Sequence, residues 1–127
     1  MAKNKTGLYF KKDKKVKLIT KSTRIKTELG TLEDSYKYIS NRSFWAYTSQ
    51  LSLVDTFTAH VHGSDETRLF VLNYRSDLRI HDYIEYKEKY YTITRLDTTD
   101  DYNGELFIYV KDSPKGDMPE NVQPADD

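Results

Sequence analysis

The stretch from Glu66 to Lys111 constrains this chain more than any other part of it. Its apolar residues recur at every second position, the period of strands and not of helices. Leu69-Phe70-Val71-Leu72 is a continuous apolar run, as expected of a strand buried on both faces. Ile84 and Tyr86 alternate with Glu85, and Tyr91 and Ile93 alternate with Thr92 and Thr94. Leu106, Ile108 and Val110 share one face, with Phe107 and Tyr109 on the other. Asn103-Gly104 predicts a tight turn in the last connection, because both residues tolerate positive φ. Lys87-Glu88 lacks such residues, so a longer or distorted turn is expected there.

The segments upstream extend the β reading. Val16–Ile25 reads as a first strand, with Val16, Leu18 and Thr20 on one face. Residues 26–35 are polar, contain Gly30 and read as a loop. Tyr36–Thr48 reads as a second strand centred on Phe44-Trp45-Ala46-Tyr47. Gln50–Gly63 is the one helical candidate. Ser52 can cap it, Asp55 suits its first turn, and Leu53, Val54, Phe57 and Val61 fall near one face before Gly63 ends it. The expected fold class is mainly β: a small antiparallel β-barrel of about six strands, with one short helix or loop insert after the second strand. Its core is expected to hold Trp45, Phe70, Leu72, Ile84, Tyr91, Ile93, Leu106 and Ile108.

A chain of 127 residues supports one domain with a small core. Zero cysteines exclude a disulfide scaffold and any Cys-ligated metal. No apolar run approaches the ~20 residues of a membrane span, so no membrane partner is expected. Net charge is zero but unevenly placed. Residues 1–26 hold ten Lys and Arg against Asp13 alone, a net of +9, whereas residues 97–127 carry −7. Such polarity invites head-to-tail contact between copies, or a basic end facing nucleic acid; two solvated tails would leave the same pattern. The division expected is a basic arm over 1–15, a barrel over 16–112 and an acidic tail over 113–127. That tail holds all three prolines and little apolar material, and disorder is expected for it.

No constellation of catalytic type competes with this reading. His60 and His62 are two apart and point to different sides of a helix, and His81 lies elsewhere, so no metal is expected. Asp97, Asp100 and Asp101 precede Asn103-Gly104 without the spacing of a calcium loop, and Asp is a common turn residue. With no nucleophile–base set and no phosphate-cradling glycine loop, no enzyme activity and no cofactor are expected. Phe107 and Tyr109 occupy the face opposite the core row. Two uses are open for them: packing under the N-terminal segment, or a subunit interface.

Particular residues, in order, carry a resemblance. Phe44-Trp45-Ala46 is followed by Gln50-Leu51-Ser52 opening an insert. Glu66-Thr67-Arg68-Leu69-Phe70-Val71 leads to Tyr74-Arg75 and to Leu78-Arg79-Ile80-His81. Asp82-Tyr83-Ile84-Glu85-Tyr86 and Lys89-Tyr90-Tyr91-Thr92-Ile93 complete the series. This order resembles the head–tail joining (head-closure or stopper) proteins of long-tailed bacteriophages, over residues 16–111. The chain departs from that pattern at Lys87-Glu88, where Gly is common.

The resemblance implies a virion protein of the phage neck, assembled in the bacterial host cytoplasm. It would form a homo-oligomeric ring, dodecameric like the portal, with adaptor and portal proteins above it. Tail terminator and tail tube proteins would lie below, and packaged duplex DNA would be held in the channel without sequence specificity. The family's insert after the second strand faces the channel and helps to close it. Here that segment is 50–66, with Gln50, Thr56, Thr58, His60, His62, Ser64 and Glu66 as candidate lining residues. The alternatives are a tail-completion protein of the neck and a small OB- or SH3-like nucleic-acid-binding barrel. Exposed aromatics and the basic lead would serve the latter.

Overall fold

The computed structural model describes residues 10–26, 30, 32–51, 66–98, 104–113, 118–119 and 121–126. Of residues 22–26 and 32–34, the backbone alone is described. The described residues form seven strands: β1 (Lys14–Lys26), β2 (Leu32–Tyr38), β3 (Phe44–Gln50), β4 (Arg68–Asn73), β5 (Tyr83–Tyr86), β6 (Lys89–Thr98) and β7 (Glu105–Asp112). Among the described residues there is no helix. All strand pairs are antiparallel, and pairing of β1 with β5 closes a six-stranded barrel in the order β1-β3-β4-β7-β6-β5. β2 is the extra strand. Of the helix expected over Gln50–Gly63, Gln50 ends β3 and residues 52–63 lie outside the described set.

β1 does three jobs along its length. Lys14–Val16 pairs with β3, Lys17–Ile19 with β5, and Ile19 onward with β2. Ile19 is paired to both Tyr38 and Tyr83, which puts β2 and β5 on opposite edges. β2 and β3 therefore follow one another down the same edge of β1. The second strand expected over 36–48 is divided in two, interrupted at 39–43, and its first half begins inside the segment read as a loop. Past Lys21, β1 pairs with β2 alone, so the hairpin extends beyond the barrel wall.

Inside the barrel, Val16, Leu18, Ala46, Phe70, Leu72, Ile84, Tyr86, Tyr91, Ile93, Leu106, Ile108 and Val110 form one cluster with Leu78. Phe70 sits at its centre, edge-on to Tyr86 and Tyr91 at centroid distances of 5.6 and 5.7 Å. Seven of the eight expected core residues are here. Trp45 is the correction: it is 55% exposed, while Ala46 beside it is fully buried. Strand alternation admits one of two neighbours to the interior, and the register of β3 on β1, Ala46 opposite Lys14 and Phe44 opposite Val16, selects Ala46 and Phe44.

Two local features also depart from expectation. The β5–β6 connection is a tight two-residue turn: Tyr86 pairs with Lys89, and Lys87 and Glu88 both adopt positive φ, 50° and 65°. This is a type I′ arrangement, imposed because Ile84 must face Tyr91 for both to reach the core. In β6, Thr94 is an extra residue between the pairs Ile93–Val110 and Arg95–Tyr109. The bulge reverses the alternation, so Ile93 and Leu96 both face inward and Arg95 is turned outward. The Asn103-Gly104 turn lies mostly outside the described residues.

Candidate assembly surfaces

The described ends of the insert emerge side by side at one end of the barrel. Gln50 pairs with Arg68, the Leu51 N–H donates to the Thr67 carbonyl at 3.0 Å, and the Thr67 N–H donates to Val110 at 2.9 Å. Residues 52–65 thus leave and return through a hydrogen-bonded base. Beneath that base, Arg68 turns into the barrel mouth. Its guanidinium lies 5.8 Å from the centroids of both Tyr86 and Tyr91 and donates to the Thr48 hydroxyl at 3.0 Å. A cation held between two rings closes this end with a group that keeps some access to water.

Of the expected channel-lining residues, Thr56, Thr58, His60, His62 and Ser64 lie outside the described set. Gln50 is exposed at the end of β3. Glu66 is a correction: it is buried, 5% exposed, and its carboxylate accepts Thr94 Oγ1 at 2.9 Å and Arg95 Nη2 at 3.3 Å. Glu66 clamps the returning end of the insert to the bulge in β6 and is not turned to a lumen.

The outward face of β3, β4 and β7 carries the aromatic row noted in the sequence. Tyr47, Val71 and Phe107 are directly opposite one another across the three strands. Phe10 lies across this row, edge-on to Tyr47 at 5.3 Å and to Phe107 at 5.4 Å, and Val71 beneath is fully buried. Two residues on, Lys12 Nζ reaches Glu105 Oε1 at 2.8 Å. The N-terminal segment from residue 10 is therefore a strap on the barrel, and β1 starts at Lys14, inside the span expected to be a free basic arm. Phe107 lies under this strap. Tyr109, one pair further along, carries the Arg95 guanidinium 3.8 Å from its ring centroid.

The C-terminal segment is likewise seated on a strand. Gln123 bridges Lys37 in parallel, the Tyr38 N–H donates to the Gln123 carbonyl at 3.0 Å, and the Gln123 N–H donates to Tyr36 at 2.9 Å. The Ala125 N–H donates to Asn41 Oδ1, Asn41 Nδ2 donates back to the Ala125 carbonyl, and Lys37 pairs with Asp126. Disorder expected for 113–127 thus gives way, over 121–126, to a short strand-like addition covering the open edge of β2. No sequence signal marks it, because its bonds join backbone groups and two polar side chains, Asn41 and Lys37, that lie more than 80 residues away along the chain.

A third outward cluster surrounds Ile19, which is fully buried on the outer side of β1. Tyr36 and Tyr83 meet edge-on at 5.5 Å. The Tyr38 hydroxyl donates to Glu85 Oε1 at 2.7 Å, and Lys17 Nζ lies 5.0 Å from the Tyr38 ring. Burial, reinforced by Glu85, pushes the Tyr38 and Tyr90 phenols above the ordinary tyrosine range. Elsewhere among the described residues Trp45 and Tyr74 are exposed, with Lys15 Nζ 5.1 Å from the Trp45 ring.

No family model matches the chain, and no curated protein sequence matches it. Among solved structures it is similar to protein SF1141 from Shigella flexneri 2a, determined in solution, at 16% identity and a TM-score of 0.62. The match covers 80% of this chain and 93% of that one. At that identity the likeness is one of fold: the two chains share a small β architecture.

Proposed function

We propose that this protein is a structural component of a bacteriophage neck. It would form a ring that joins head to tail and closes the DNA channel after packaging. The observation that supports this reading best is the paired base at the barrel end. It launches residues 52–65 and takes them back within one strand spacing, through Leu51, Thr67 and the buried Glu66. A closed barrel with one such excursion, repeated around a symmetric ring, brings many copies of one short segment towards an axis. Retention of DNA then needs steric closure and weak contacts, with no base readout. The order of motifs over residues 16–111, which resembles that of head-closure proteins, supports this choice of family. The test has two arms. Purified protein is mixed with portal–adaptor complexes and imaged, where an added ring is expected; the absence of ring density at every ionic strength sinks the proposal. Replacing Thr56–Ser64 by a Gly-Ser linker should leave the barrel folded and the ring assembled while packaged DNA leaks.

A second reading rests on Trp45, exposed beside Lys15 on a barrel wall, a pairing that suits stacking on a nucleobase next to a phosphate. The packing of Phe10 on Tyr47 and Phe107 weighs against it, because it partly covers the neighbouring aromatics. Quenching of Trp45 fluorescence by single-stranded DNA at low salt would favour this second reading; unchanged emission would leave the neck.

A further inference from the structure

Among the described residues, the strap over β3, β4 and β7 is held through the side chains of Phe10 and Lys12. Phe10 supplies one ring to the Tyr47–Val71–Phe107 row, and Lys12 one ion pair to Glu105. The Asp13 N–H donates to the Lys11 carbonyl at 3.1 Å, closing a three-residue turn centred on Lys12 just before β1. The receiving site is also incomplete. Glu105 is 9% exposed, and its Oε2 is buried with no hydrogen-bond partner among the described residues. A buried carboxylate oxygen left without a donor is costly.

We infer that this face is an interaction surface for a second copy of the chain, whose strap replaces the first copy's own. Opening the turn at Lys11–Asp13 gives up one local hydrogen bond and sends the segment away from its barrel. The same Phe10 and Lys12 contacts are then remade on a neighbour, so exchange is close to neutral in contact energy. Charge favours association between copies. Residues 1–26 carry +9 and residues 97–127 carry −7, so each basic strap is drawn to the acidic end of another chain's β7. Each copy gives one strap and accepts one, a head-to-tail relation that closes into a ring or a swapped dimer. The inference needs only a second copy and does not rest on the neck proposal.

The natural chain has no cysteine, which makes the test direct. One preparation carries Phe10→Cys and another Phe107→Cys; the two are mixed and treated with a short bismaleimide. Exchange is expected to give a product of two-chain mass on a denaturing gel, increasing with protein concentration. Asp13→Pro in both chains should raise its yield, because proline cannot donate the hydrogen bond that closes the turn. Mixing Phe10→Cys with Ile80→Cys, an exposed site away from the strap, measures random collision. An inter-chain yield no higher than this control, with or without Asp13→Pro, overturns the inference. So does a Phe10→Cys/Phe107→Cys double variant that links only within one chain at every concentration. If Phe107→Cys does not fold, as judged by circular dichroism, Tyr47→Cys takes its place on the other side of the Phe10 ring.

Discussion

The Thr94 hydroxyl donates to Glu66 Oε2 at 2.9 Å across 28 residues of chain, and it can do so because Thr94 is the bulged residue of β6. The bulge that lifts Thr94 out of the ladder also aims Arg95 at the second carboxylate oxygen, 3.3 Å away, and onto the Tyr109 ring. One irregularity therefore anchors the end of the insert.

The two partners of Glu66 differ in weight. Glu66→Ala removes a buried acceptor and should cost about 1–3 kcal/mol. Arg95→Ala, which removes a side chain that is half exposed, should cost less than about 1 kcal/mol. Urea midpoints of the two variants measure the difference. Equal losses would shift the anchoring from the Thr94 hydrogen bond to the ion pair.

The Lys87-Glu88 turn holds two residues with side chains in a conformation that suits Asn and Gly. Lys87→Asn with Glu88→Gly should raise stability by about 1 kcal/mol, by relieving left-handed backbone strain. Thermal unfolding reads the change; a lower midpoint would mean that the turn is held by contacts of these two side chains.

Asp82 and Asp77 should respond to acid in opposite senses. Burial raises the Asp82 carboxyl above its ordinary 3.8, against donors from Arg79, Thr20 and Lys21. Hydrogen bonds from Arg75 lower Asp77. The Asp82 contribution is fully present below pH 3.8 and is lost as pH rises through the raised folded value. The Asp77 contribution is present above pH 3.8 and fades as pH falls through its lowered value. Unfolding free energy relative to Asp82→Asn should therefore decline with rising pH, and relative to Asp77→Asn it should increase. Denaturant titrations across the acid range give both slopes, and slopes of the same sign would contradict the assignment.

Trp45 and Phe70 separate surface from core. Trp45→Ala should change stability by about 0.5 kcal/mol or less, as at an exposed site. Phe70→Ala, fully buried between Tyr86 and Tyr91, should cost about 3–5 kcal/mol. The chain has one tryptophan, so native fluorescence reports on Trp45 alone. Acrylamide should quench it nearly as well as in the unfolded chain; strong protection would place the ring under another segment.

Strands β4 to β7 were legible because alternation is local. Leu69 to Leu72, Ile84/Tyr86, Tyr91/Ile93 and Leu106/Ile108/Val110 each declare a face without reference to any partner, and all but the half-buried Leu69 are buried as that pattern requires. The start of β2, over 32–35, was read as loop and its end was merged with β3, because the strand character of that start comes from pairing with β1, not from an apolar period of its own. Trp45 was misplaced for a related reason. Phe44-Trp45-Ala46 offers two possible inward faces, and register on β1 chose the smaller residue.

By itself the sequence determined the fold class, most of the core and the presence of an insert between strands, since period and composition act over a few residues. The tertiary structure alone decided the rest. Barrel closure of β1 on β5, the Thr94 bulge, the Glu66 clamp, the strap at Phe10 and the seated segment at Gln123 all join residues far apart in the chain. Such contacts depend on which backbone groups and side chains the register leaves unpaired, and that quantity exists only once the barrel has closed.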